Sequence, residues 1–173
     1  LSLGMKPVVR IGVGSDDTGF GNPLTYAEFL KQVSAEVSGE FYAIAGPNEP
    51  DGEDWVWKGK CGSKSDASCI GRETGLYADR VIGAVTDSKI KLLSPAFNIT
   101  NANFAQILDG FKQYSHWENL YAMAGNVYNV SGVTINDWID RERQIFTRSN
   151  NKPWILTEIG DFEQNWPRLN EQI

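Results

Sequence analysis

The stretch EFYAIAGPNEPDGEDW, Glu40 to Trp55, decides how this chain is read. Phe41 to Gly46 is a short, nearly continuous apolar run, the pattern of a strand buried on both faces. It stops at Pro47, and Asn48-Glu49-Pro50 opens a loop crowded with carboxylates and tryptophan. A carboxylate at the tip of a buried strand is either a solvated turn residue or a chemical reagent, and the flanking sequence has to discriminate.

Outward from this stretch the same unit recurs. Upstream, KPVVRIGVG (Lys6 to Gly14) reads as a strand, followed by a loop and a helix in LTYAEFLKQVSAEVSG. There Thr25 and Glu28 have capping-box spacing, Phe29, Leu30, Val33 and Val37 recur at helical intervals, and Gly39 marks the stop. Downstream come a helix from about Arg72 to Asp87, the strand KIKLLSPAF, a helix from about Asn103 to Tyr114, the strand NLYAMAGNV, a helix from about Ile135 to Arg148 and the strand KPWILTEIG. Apolar strands alternating with amphipathic helices imply one α/β domain over residues 1–173, built on a parallel sheet. Periodicity leaves a doubly wound sheet and a (β/α) barrel both open. In either, chemistry is sited at the C-terminal strand ends, where the long polar and aromatic loops of this chain fall.

Composition bounds the ligand. With 173 residues, 41% of them hydrophobic, the chain can bury one sizeable core. A formal charge of -6 without any Lys/Arg block argues against nucleic acid and anionic membrane surfaces, and suits a neutral or cationic ligand. No apolar run approaches the roughly 20 residues that span a bilayer. Cys61 and Cys69 share the polar loop CGSKSDASC, and with the lone His116 they cannot complete a zinc site of the usual Cys/His kind, so neither metal nor cofactor is expected. A disulfide closing that loop is the better reading and implies an oxidising, extracytoplasmic or secreted setting; two free thiols are the alternative. The sequons Asn98-Ile99-Thr100 and Asn129-Val130-Ser131 fit export but are common by chance. The N-terminus lacks a signal-peptide pattern and opens at Leu1 rather than Met, so preceding sequence, with any signal, is expected to be missing.

Three kinds of site can be weighed. IGVGSDDTGFG follows a strand and is glycine-rich, yet Asp17 stands where a dinucleotide fingerprint needs its last glycine, and two carboxylates sit where phosphate would go. A nucleophilic triad would need His116, which lies in a loop leading into a strand, on the face opposite the strand C-termini. Paired carboxylates remain: Glu49 ends the second strand and Glu158, in WILTEIG, ends the fifth, so both belong to one rim. Across a cleft, one such group can donate a proton to a leaving oxygen while the other, ionised, attacks carbon or activates water. Either glutamate alone reads as a loop residue; the pair does not.

GPNEPD and ILTEIGDF, three units apart, resemble the two signature segments of the clan A glycoside hydrolases, retaining (β/α)8-barrel enzymes with an acid/base Glu after Asn on the fourth strand and a nucleophile Glu ending the seventh. The resemblance implies a TIM-type barrel and a carbohydrate substrate cleaved at a β-glycosidic bond. It makes Asn48 a contact of the sugar 2-hydroxyl, Glu49 the acid/base and Glu158 the nucleophile, and Tyr128, in AGNVYN, similar to the sixth-strand group that hydrogen-bonds the nucleophile. Within the clan, NEPD with TEIG is similar to β-glucanase-like and xylosidase-like families. Trp55 and Trp57 could offer flat surfaces for sugar rings or pack over the barrel rim; Trp154, early in its strand, reads as core. Asp16 and Asp17 could bind sugar hydroxyls or simply be solvated.

The chain departs from that family in length. A (β/α)8 barrel takes about 250 residues, and the strands here would be the third to the seventh. The expectation is therefore a partial barrel, a piece of a longer protein; a chain complete as it stands would carry two open edges through which copies could self-associate. The clan's second-strand arginine, which holds the nucleophile, has no counterpart, and Arg10, inside the first strand here, does not replace it by position. A non-catalytic carbohydrate-binding or scaffolding module is the alternative to an enzyme, although such a module has no need of two carboxyls at two strand ends.

Overall fold

The computed structural model describes residues 6–10, 22–52, 56–129 and 135–161. Five strands, β1 (Val8–Val9), β2 (Phe41–Ile44), β3 (Ile90–Asn98), β4 (Ala122–Asn129) and β5 (Trp154–Asp161), form one all-parallel sheet in the order β1-β2-β3-β4-β5. Each strand lies beside its sequence neighbour, with no reversal of order. A doubly wound sheet reverses at a switch point, and the described strands contain none. The sheet curls into a half-barrel.

Among the described residues four longer α-helices, α1 (Pro23–Glu36), α2 (Ala67–Ala84), α3 (Phe104–Gln113) and α4 (Ile135–Arg148), link the strands. Alternation along the strands divides the core. Phe41, Ala43, Leu92, Phe97, Ile99, Met123 and Val127 pack with helical Leu30, Ile70, Val81, Ile107 and Phe111 on the convex side. Ile44, Leu93, Ala96, Ala122 and Ala124, joined by Tyr42 and Ile155, make a smaller cluster on the concave side. Trp154 belongs to the helix-facing core, edge-on to Phe104 at 6.0 Å, and its indole N–H donates to Ser149 Oγ at 2.9 Å.

Helix starts differ from the sequence reading. α1 begins at Pro23 rather than at a Thr25 cap, because Asn22 Oδ1 accepts from Leu24 N at 3.0 Å and proline in the first turn lacks a donor needing satisfaction. Its buried face is Tyr26, Ala27, Leu30 and Ser34, whereas Phe29 lies 47% exposed. α2 starts at Ala67, a full turn before Arg72, since Asp66 caps it through Cys69 N at 3.0 Å. α2 and α3 approach through glycine: a Cβ on Gly71 would lie 2.5 Å from Ile107 O, and one on Gly110 3.1 Å from Gly71 Cα. Among the described residues no helix is long and apolar enough to cross a membrane.

Candidate active site

Two irregularities in the ladder place the polar residues of the C-terminal rim. In β3, Leu93 pairs with Ala122 but Ala96 with Ala124, so one extra residue is accommodated at Ser94-Pro95. Ser94 Oγ fills the interruption by accepting from Ala124 N at 2.8 Å. Pro95 crowds the end of β2: a Cβ on Gly46 would stand 2.7 Å from Pro95 Cγ, so glycine allows the two chains to close up. Beyond it Asn48 forms an isolated bridge with Ala96, and Glu49 N donates to Ala96 O at 2.7 Å.

The second irregularity lies in β5. Gly125 pairs with Leu156, but Asn126 pairs with Glu158, which leaves Thr157 as the extra residue. Side chains in a strand alternate between faces, so without this bulge Glu158 would turn toward the helices. With it, Glu158 joins Asn126 and Tyr128 on the concave side.

Asn126 is fully buried. Its Nδ2 donates to Asn48 Oδ1 at 3.1 Å and to Glu49 Oε1 at 2.9 Å, while its Oδ1 accepts from Thr157 Oγ1 at 2.6 Å. Tyr128 OH donates to Glu158 Oε2 at 2.6 Å; burial first, then the Glu158 and Glu49 carboxylates, raise the phenol well above its ordinary value. Asn126 and Tyr128, two residues apart on β4, thus hold one glutamate each. Arg10 NH1 pairs with Glu158 Oε1 and donates to Asn48 Oδ1 at 3.1 Å. Sequence position gave Arg10 no such part; the curl of the sheet brings the end of β1 across to β5. Burial tends to raise the Glu158 carboxyl, but the Tyr128 hydrogen bond and the Arg10 charge outweigh it and hold the group below the usual carboxylate range.

Glu49 carries a φ of 46°, the left-handed region that side chains other than glycine avoid, and it precedes proline. Such a conformation costs of order 1–3 kcal/mol and persists only where the surroundings fix it. Here the Ala96 carbonyl holds its N–H, and Gly52 N donates back to Glu49 O at 2.7 Å.

Of the residues singled out from sequence, Asn48, Glu49, Tyr128 and Glu158 meet in one network. Asp16, Asp17 and Trp55 lie outside the described residues, and Trp57 opens a π-helical turn, Trp57–Cys61, within the loop after β2. Cys61 and Cys69 lie at disulfide distance, with Sγ atoms 2.05 Å apart. Asn126 and Thr157 escaped sequence reasoning, and Arg10, set aside there by its position, does hold Glu158. Asn126 left a signal, a polar residue inside an apolar strand two positions before Tyr128, whereas Thr157 left none. No family model matches this chain, and no curated protein matches it.

Proposed function

We propose that this half-barrel is the catalytic part of a TIM-type retaining glycoside hydrolase that cleaves β-glycosidic bonds in a glycan or oligosaccharide. The observation that carries the reading is the network on the concave rim in which β4 holds both glutamates, Asn126 donating to Glu49 and Tyr128 donating to Glu158. Two carboxyls held by residues two apart on one strand can flank a single sugar ring, the arrangement that double displacement uses. Glu158, held ionised by Arg10 and Tyr128, is the nucleophile: it attacks the anomeric carbon and forms a glycosyl-enzyme ester while the glycosidic bond breaks. Glu49 gives its proton to the departing oxygen, then takes one from the water that hydrolyses the ester. Asn48 has its Oδ1 occupied by Arg10 and Asn126, which leaves Nδ2 to donate to the sugar 2-hydroxyl. Trp55 and Trp57 supply stacking surfaces, and Asp16 and Asp17 bind outer hydroxyls. The Cys61–Cys69 pair suits an extracytoplasmic setting.

Aryl β-glycosides test this directly. Release of the phenol with net retention at the anomeric carbon, followed by NMR, supports the reading. Inversion, or saturable oligosaccharide binding without any turnover, overturns it, the latter in favour of a carbohydrate-binding module.

A further inference from the structure

We infer that Asp51, clamped by Asn101, is a positioning residue that holds Glu49 in the orientation needed for proton donation; the inference rests on the glycosidase reading above. Asp51 is 8% exposed, and Asn101 Nδ2 donates to its Oδ2. The amide cannot turn away, because Asn101 Oδ1 accepts from Asn103 N at 2.7 Å. The loop behind it is tied in turn: Asn98 Oδ1 accepts from Thr100 N at 3.1 Å, and Arg141 NH1 donates to Thr100 O at 3.1 Å. The clamp therefore joins the loop after β3 to the turn after β2.

That turn is the one that holds Glu49 in its left-handed conformation. Glu49 O accepts from Gly52 N, and Glu49 Oε2 stands 3.4 Å from where a Gly52 Cβ would be, so the carboxyl folds back over the turn. On one side β3 fixes Glu49 through the Ala96 carbonyl and Asn126 holds its Oε1; on the other, among the described residues, Asp51, between Glu49 and Gly52, is gripped from outside the turn by Asn101. Burial raises the Asp51 carboxyl above its ordinary range against the pull of its own amide and Asn101, the Glu49 charge adds to the rise, and Lys64 opposes it. A carboxylate kept buried beside a second carboxylate is a poor choice if closing the turn were its whole role.

The experiment is a leaving-group series. For wild type, Asp51→Ala, Asn101→Ala and Asp51→Asn, kcat/KM, which reports glycosylation, is measured on aryl β-glycosides from dinitrophenyl to unsubstituted phenyl. Asp51→Ala and Asn101→Ala are expected to lose about tenfold or more on poor leaving groups that need the proton, and little on dinitrophenyl, steepening the dependence on phenol pKa. Asp51→Asn, which keeps the acceptor for Asn101, is expected to restore the wild-type dependence, and the double alanine variant to be no worse than either single one. Equal losses across all leaving groups, or an unchanged dependence, overturn the inference while leaving the glycosidase reading intact. A wild type that releases no phenol overturns both.

Discussion

Glu158 stands opposite Asn126 in the β4–β5 ladder, one residue later than an unbroken register would place it. Thr157, the residue that makes the difference, also donates to the buried Asn126 Oδ1 at 2.6 Å. Replacing Thr157 by Val keeps the shape and strands that oxygen without its donor, a loss of about 1–3 kcal/mol. Urea unfolding should show the drop, and phenol release should fall with it, because Asn126 also holds Glu49 and Asn48. An unchanged midpoint would mean that water or backbone replaces the hydroxyl.

The two glutamates are expected to fail differently. Glu158→Gln removes the attacking charge, so turnover should collapse on every substrate. Glu49→Gln removes proton transfer, worth roughly 10²–10⁴-fold, yet a dinitrophenyl glycoside should still form the glycosyl-enzyme. Azide should rescue Glu49→Ala on that substrate and yield the β-glycosyl azide. Equal losses for both variants on all substrates, with no azide product, would refute the assignment of roles.

Tyr128→Phe tests the electrostatics. The phenol and Arg10 lower the Glu158 carboxyl, so removing the phenol moves that group upward. Activity that needs ionised Glu158 then sets in at higher pH, and the acid limb of the kcat/KM profile shifts toward neutrality. The stability sign agrees. A lowered carboxyl contributes stability above its unfolded pKa and loses it as pH falls through the folded value, so Tyr128→Phe should flatten the acid dependence of unfolding. An acid limb that stays in place would show that Arg10 suffices.

Cys61 and Cys69 tie the end of the π-helical turn to the first turn of α2. Thiol titration of the denatured, unreduced protein should find no free thiol, and the double serine variant should lose about 2–4 kcal/mol. Two reactive thiols would remove the argument for an oxidising compartment.

Gly71→Ala forces a methyl against Ile107 O across the α2–α3 contact and should cost roughly 1–3 kcal/mol. Gly83, in the same helix with nothing within 4 Å of an added Cβ, is the control, where alanine should stabilise by about 0.5–1 kcal/mol. Similar melting temperatures for the two variants would mean that the helices part without penalty.

By itself the sequence determined the alternation of strands and helices, the parallel sheet and the two glutamates at strand ends, because burial and helix periodicity are written locally. Local patterns also misled in small ways: the caps at Asn22 and Asp66 displaced the starts read from Thr25 and Arg72, since one side-chain hydrogen bond can outbid a spacing motif. Only the tertiary structure decided the consecutive strand order, the bulges at Ser94-Pro95 and Thr157, and the meeting of Arg10 with Glu158. Those features are non-local. A one-residue shift in pairing alters no local propensity, yet it sends every later side chain to the other face. The reach from Arg10 to Glu158 depends on how far five strands curl, a quantity set by the packing of the whole sheet rather than by either segment.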